Sequence, residues 1–184
     1  MSTKPHYLMP DAMTVIHLHE IRLWVQVCGR IGIVVPSIIV HREAYYYVDP
    51  ETDEYRNFDL LMEVAEKRIT QRAAPVADMS EFLDHFDSSV RPDLHEGELE
   101  ALTLLWKGVV QDCRLCSADR TAVTALVLMG MKELGMSLET ALQQIGLSSN
   151  RIKPQFSEER FQQWVTAAEQ RRMLGQGLVK DPFQ

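Results

Sequence analysis

Apolar residues along the chain fall into short continuous runs separated by longer segments of helical period. "HYLMP" (6–10), ending at Asp11, and "IGIVV" (31–35), closed by Pro36, have the form of strands buried on both faces. "CRLCS" (113–117) is a third segment of this kind. Between the first two, Val15, Leu18, Leu23 and Val27 mark a helix of mixed pattern from about residue 12 to Cys28, with Gly29 and Gly32 bracketing its end. Ser37 has the character of an N-cap for a helix carrying Ile38, Ile39, Val40 and Glu43.

The next segment, "YYYVDPETDEYRNF" (45–58), changes character. Aromatic β-formers flank Asp-Pro-Glu-Thr-Asp, the composition of a hairpin with a longer turn, and it reads as an excursion from the main fold. A helix around 59–67, a short strand near 68–73 and a brief helix from Ser80 to Phe86 follow. Asp93 and Glu96 have capping-box spacing and open a helix through Trp106. From Asp119 to Met131 the pattern is apolar almost all round, which predicts a buried helix. Ser137 caps "LETALQQIG", and Ser157 opens a last amphipathic helix with Phe161, Trp164, Val165 and Ala168 on one face. Short buried strands alternating with helices predict an α/β fold with a mainly parallel sheet covered on both faces.

Composition narrows the function more than the fold. A chain of 184 residues, 46% hydrophobic, can bury a sizeable core. The apolar stretches "IGIVVPSIIV" and "AVTALVLMGM" are too short to span a bilayer, and the N-terminus has no run of signal-peptide length. Three cysteines at no framework spacing suggest a reducing compartment, so a cytoplasmic location is expected. The net charge of −7 argues against binding nucleic acid through a broad basic surface, but it leaves room for a local basic rim.

Cys113 and Cys116 form a C-x-x-C pair, the most conspicuous candidate for chemistry. In a strand, residues three apart point to opposite faces, so this pair does not chelate. No second C-x-x-C or H-x₃-H supplies further zinc ligands, and packed cysteines are the better reading. The carboxylates are a stronger set. Asp11 ends the first strand, Glu43 lies in the helix after the second, Glu98 starts the central helix, and Asp119 follows the later strand. Each alone reads as a helix cap or an acid favoured by a helix dipole. Together they are placed to converge on one end of the sheet, where α/β folds bind ligands. Clustered carboxylates raise each other's pKa unless a cation neutralises them, and hard divalent ions suit an all-oxygen site.

The order of "YLMPDAMTV", "VPSIIVHREA", "HEGELEAL" and "CSADRTAVTALVLMGM…SLETALQQIGL" resembles the PIN-domain family of metal-dependent nucleases, in particular a bacterial PIN-like branch with a hairpin insertion. The resemblance covers about Tyr7 to Leu147. It implies a three-layer α/β/α sandwich with a PIN-like domain over 1–147, the hairpin insertion at about 45–58, and a helical extension over 148–184. It also implies hydrolysis of RNA phosphodiester bonds with Mg²⁺ or Mn²⁺ held by Asp11, Glu43, Glu98 and Asp119, and water as nucleophile. Asp11 and Asp119 fall on the positions of the main ligands, Glu43 and Glu98 on ligand or water-positioning positions, and Glu96 on an auxiliary one. The chain departs from the family at Met13, where a small polar residue is usual, with Thr14 beside it.

The expected partner is RNA as substrate, with a toxin-like role or one in RNA turnover. An inhibitory protein partner and a homodimer are left open, and no membrane association is expected. The competing reading is a PIN-like module that has lost turnover and serves binding or regulation. A haloacid-dehalogenase-type phosphatase needs a second aspartate where Met13 stands, and a dinucleotide-binding enzyme needs a G-x-G-x-x-G that does not follow the first strand.

Overall fold

The computed structural model of the chain describes residues 5–179. Residues 1–4 and 180–184, the outer ends of the two expected segments, lie outside the described residues. The chain opens with β1 (Tyr7–Pro10), followed by α1 (Ala12–Glu20) and α2 (Trp24–Cys28). The single helix expected over 12–28 is therefore two, broken where Arg22 takes a left-handed conformation with φ of 60°. After β2 (Gly32–Pro36) comes one π-helical turn, Ile39–Glu43, which buries Ile39 and Val40. Ser37 does not cap it. Its hydroxyl donates instead to Glu100 Oε1 at 2.7 Å.

The hairpin forms as expected from β3 (Tyr46–Val48) and β4 (Tyr55–Asn57), paired antiparallel with Tyr46 opposite Asn57. Next come α3 (Leu60–Ala65), capped by Asp59, and β5 (Thr70–Arg72). Helix α4 (Val76–Leu83) begins directly after Pro75 rather than at Ser80. Asp93 lies in a 3₁₀ turn, Arg91–Asp93, and α5 (Glu96–Trp106) is capped at His95 instead. The last elements are β6 (Cys113–Cys116), α6 (Arg120–Leu128), the two-residue strand β7 (Gly135–Met136), α7 (Leu138–Gln144) and α8 (Glu158–Met173).

Five strands make one parallel sheet in the order β5-β2-β1-β6-β7. Side chains alternate between its faces, as the strand period demands. Leu8, Ile33, Val35 and Cys116 pack into a core with α1, α2 and α7, whereas Met9, Val34, Cys113 and Leu115 pack into a second core with α4, α5 and α6. The result is the three-layer α/β/α sandwich expected from the alternation of strands and helices. Helix α8 adds to the second side, where Phe161, Val165 and Ala168 bury against Val123 and Val127 of α6. No helix of the described residues is long and apolar enough to cross a membrane.

The strand order fixes where a site can form. The chain leaves β1 toward β2 and β5 on one side, then returns to place β6 and β7 on the other. The loops leaving the carboxyl ends of β1 and β6 lead to helices on opposite faces, and the edge between them is the switch point, the crevice at which such sheets bind ligands.

Candidate acidic site at the carboxyl edge of the sheet

Asp11 stands at that crevice because β1 ends one residue before it and α1 begins one residue after. Its backbone N–H donates to Cys116 O at 3.0 Å, which continues the β1–β6 ladder. As the α1 N-cap, its Oδ1 accepts from Thr14 N at 2.6 Å. Its Oδ2 accepts from Ser117 Oγ at 2.5 Å and from Ala118 N at 3.0 Å. With 1% of its surface exposed, burial pushes its carboxyl above the usual range, while these hydrogen bonds pull the other way.

Asp119 caps α6 in the same manner, with Oδ1 accepting from Ala122 N at 2.8 Å. Ser117 joins the two aspartates: besides donating to Asp11, its oxygen accepts from Asp119 N at 3.0 Å. This i to i+2 bond is a serine turn, the local habit of a hydroxyl two residues ahead of an exposed N–H.

The two glutamates come from elements that cross the same edge. Glu43 ends the π-helical turn after β2, and its Oε1 accepts from Gly97 N at 3.1 Å in the first turn of α5. Gly97 is required by this contact: a Cβ built there would lie 2.8 Å from Glu43 Cδ and 2.8 Å from Ile39 Cγ1. The next residue, Glu98, reaches back to accept from His95 N at 3.0 Å through Oε2. Glycine lets the π-helical turn approach, and the glutamate behind it closes the cap.

Electrostatics shows that the four acids share one neighbourhood. Glu98 is pushed up to about 8, first by burial and then by the charges of Asp119 and Asp11, with Glu43 adding to them and the His95 N–H opposing. Glu43 is also raised, by burial first; Gly97 N–H and His95 oppose the shift, whereas Glu96 and Asp11 reinforce it. Among the described residues, no Lys, Arg or His is ion-paired with any of the four. Negative charge is concentrated there, offset at Glu43 by the His95 charge but by no ion pair among the described residues.

The donor set suits a hard divalent ion, being all carboxylate oxygen. Glu43, Glu98 and Asp119 each spend one oxygen on a backbone cap, and Oε2, Oε1 and Oδ2 respectively carry no hydrogen bond among the described residues. Asp11 differs, since both its oxygens are engaged and it sits deepest. As the side chains stand, no three acidic, histidine or cysteine groups among the described residues are drawn close enough to grip an ion.

Other candidates fall away from the crevice. Glu96 is exposed and pairs with Arg42 at 3.1 Å. Met13 is 52% exposed and makes no polar contribution; the hydroxyl that holds Asp11 Oδ2 is that of Ser117. Cys113 and Cys116 are free and buried on opposite faces of the sheet. Burial pushes the Cys113 thiol up to about 12 and the Cys116 thiol further, which leaves neither as a thiolate.

Two residues that organise this sheet edge escaped the sequence reading. Ser117 was signalled only by the S-x-D pattern that follows the strand. Glu100 is 2% exposed and ties two strand ends together, accepting from Ser37 Oγ, from Ile38 N at 2.8 Å and from Ala74 N at 3.1 Å. Its signal was an acid within the otherwise apolar run of α5.

No family model matches the chain, and neither a curated protein nor a solved structure does.

Proposed function

We propose that the chain is a metal-dependent ribonuclease of the PIN type, working at the acidic crevice between β1 and β6 in a reducing, cytoplasmic setting. One observation carries the reading. Four carboxylates from four separate segments gather near the sheet's switch point with no Lys, Arg or His ion-paired to them among the described residues, and burial, reinforced by the charges of Asp119 and Asp11, holds a proton on Glu98 up to about pH 8. Such an arrangement is costly to maintain without a bound cation.

Asp119, Glu98 and Glu43, each with one oxygen to spare, are the groups to hold Mg²⁺ or Mn²⁺, with Asp11 behind them. A divalent ion bound there supplies Lewis acidity toward a phosphoryl oxygen and lowers the pKa of a bound water. The protein's own part is positional. Ser117 locks Asp11 and the start of α6 into one unit, so that the two aspartates cannot move apart. Gly97 and His95 hold the glutamates through backbone N–H groups that favour their charged forms. Glu98, which gives up its proton when positive charge arrives, can then orient water at the ion's edge.

Asp11→Asn and Asp119→Asn test the proposal. Each is expected to reduce Mn²⁺-dependent cleavage of single-stranded RNA by at least a hundredfold while the thermal melt stays within a few degrees. Normal cleavage by both variants would refute it.

A second reading, a PIN-like module without turnover, is favoured by the absence of a ready-made trio of ligands among the described residues and by Met13. It predicts no rise in melting temperature on adding Mn²⁺.

A further inference from the structure

The π-helical turn after β2 and the first turn of α5 each face two ways. Glu43 and Glu98 turn toward the acidic crevice. Their neighbours Arg42, Glu96, Leu99 and Glu100 line a separate cleft of roughly 570 Å³, closed on its far side by α4. The helix period makes this division: Glu96, Leu99 and Glu100 stand three and four residues apart on one face of α5, and Glu98 faces away from them. The cleft lies over the carboxyl ends of β2 and β5, so crevice and cleft are neighbouring stations along one sheet edge.

Its shape and chemistry suit a flat heterocycle. The volume falls within the range of about 300–1,000 Å³ that small-molecule sites occupy. Ile38, Met79, Leu83 and Leu99 give it apolar walls. Its polar groups are Ser37 and Glu100 beside the end of β2, and His41, Arg42, Ser80 and Glu96 around them. Glu100 Oε2 accepts a single hydrogen bond, from Ile38 N, and keeps acceptor capacity for an amino group. On the rim, the ion pair of Arg42 among the described residues is with Glu96, both side chains being exposed, and pairs of this kind are weak, so the guanidinium exchanges readily onto a phosphate.

We infer that this cleft binds the nucleobase of the nucleotide next to the scissile phosphate, with Arg42 contacting the phosphate at its mouth. The inference rests on the ribonuclease reading for its choice of ligand, because cleft and crevice are neighbours along one sheet edge. It also explains how an acidic protein holds RNA without a broad basic surface: one base slot and one arginine supply the grip.

AMP and ribose 5-phosphate, titrated into the full chain and followed by NMR, test this directly, since neither requires cleavage. AMP is expected to bind at least tenfold more tightly than the base-free sugar phosphate. Ser80→Trp and Ala73→Trp, at exposed positions on different elements around the cleft, are each expected to abolish that advantage. Equal binding of the two ligands, no binding of AMP, or AMP binding unchanged in both filled variants would overturn the inference. RNA cleavage by the same proteins separates the two readings. Cleaving protein with an indifferent cleft refutes the base slot alone, whereas base-dependent AMP binding lost on filling, without RNA cleavage, refutes the nuclease and leaves the slot.

Discussion

Glu98 concentrates the physics of the site in one side chain. Its ordinary value is 4.5, and in the folded protein it titrates at about 8 because burial and three neighbouring acids disfavour its charge. Between these values the folded protein holds a proton that the unfolded chain has released, so stability falls as pH rises through this window. In metal-free buffer the melting temperature is therefore expected to decline from about pH 6.5 to about pH 8, and Glu98→Gln is expected to flatten that decline. An unchanged slope in Glu98→Gln, read by thermal denaturation, would show that the neighbouring acids do not act on this residue. Gly97 sets the other limit, since any side chain there collides with Glu43 and Ile39, and overpacking of this kind costs about 1–3 kcal/mol.

At the scale of elements, the hairpin is clasped to α1 by aromatic rings. His19 stacks on Phe58 at 4.1 Å and on Trp24 at 5.1 Å, with Tyr47 5.7 Å away. Its Nε2 is buried without a hydrogen-bond partner among the described residues. Burial lowers the ring from 6.5 to about 4, with Glu63 opposing, so the folded state keeps it neutral while the unfolded chain protonates it. Stability is thus lost as pH falls from 6.5 toward 4. His19→Phe is expected to preserve the stack and to melt less readily than the parent protein at about pH 5, with the difference shrinking at pH 7; equal acid sensitivity in the two proteins would exclude this clasp. The elements themselves were largely legible. Buried runs announced β1, β2 and β6, and Ser157 with Phe161, Val165 and Ala168 announced α8. What was not legible depended on contacts far along the chain. Ser37 looked like a cap until Glu100 claimed its hydroxyl, and β7, two residues long, exists only because β6 offers it an edge. The break at Arg22 has no local glycine to signal it; Arg22 instead pairs with Asp49 and Glu51 of the hairpin.

The whole molecule turns on its strand order. With β1 central and β2 and β6 on either side, the segments after these three strands each deliver an acid to one edge, and residues as distant as Asp11 and Asp119 come to share Ser117. The positions of the four acids could be read from their places after strands and at helix starts. The bonds that hold them could not, because the Ser117 hydroxyl and the backbone N–H groups of Gly97 and His95 find these partners only once the segments meet. Nor did spacing reveal that Asp11 is buried with both oxygens engaged while the other three acids keep one free. The central claim is that these carboxylates form a single cation site, and calorimetric titration of Mn²⁺ into the native protein and Asp119→Asn tests it most directly. The native protein is expected to bind about one ion and the variant at least tenfold more weakly; absence of binding to the native protein, or equal affinity in both, would contradict it.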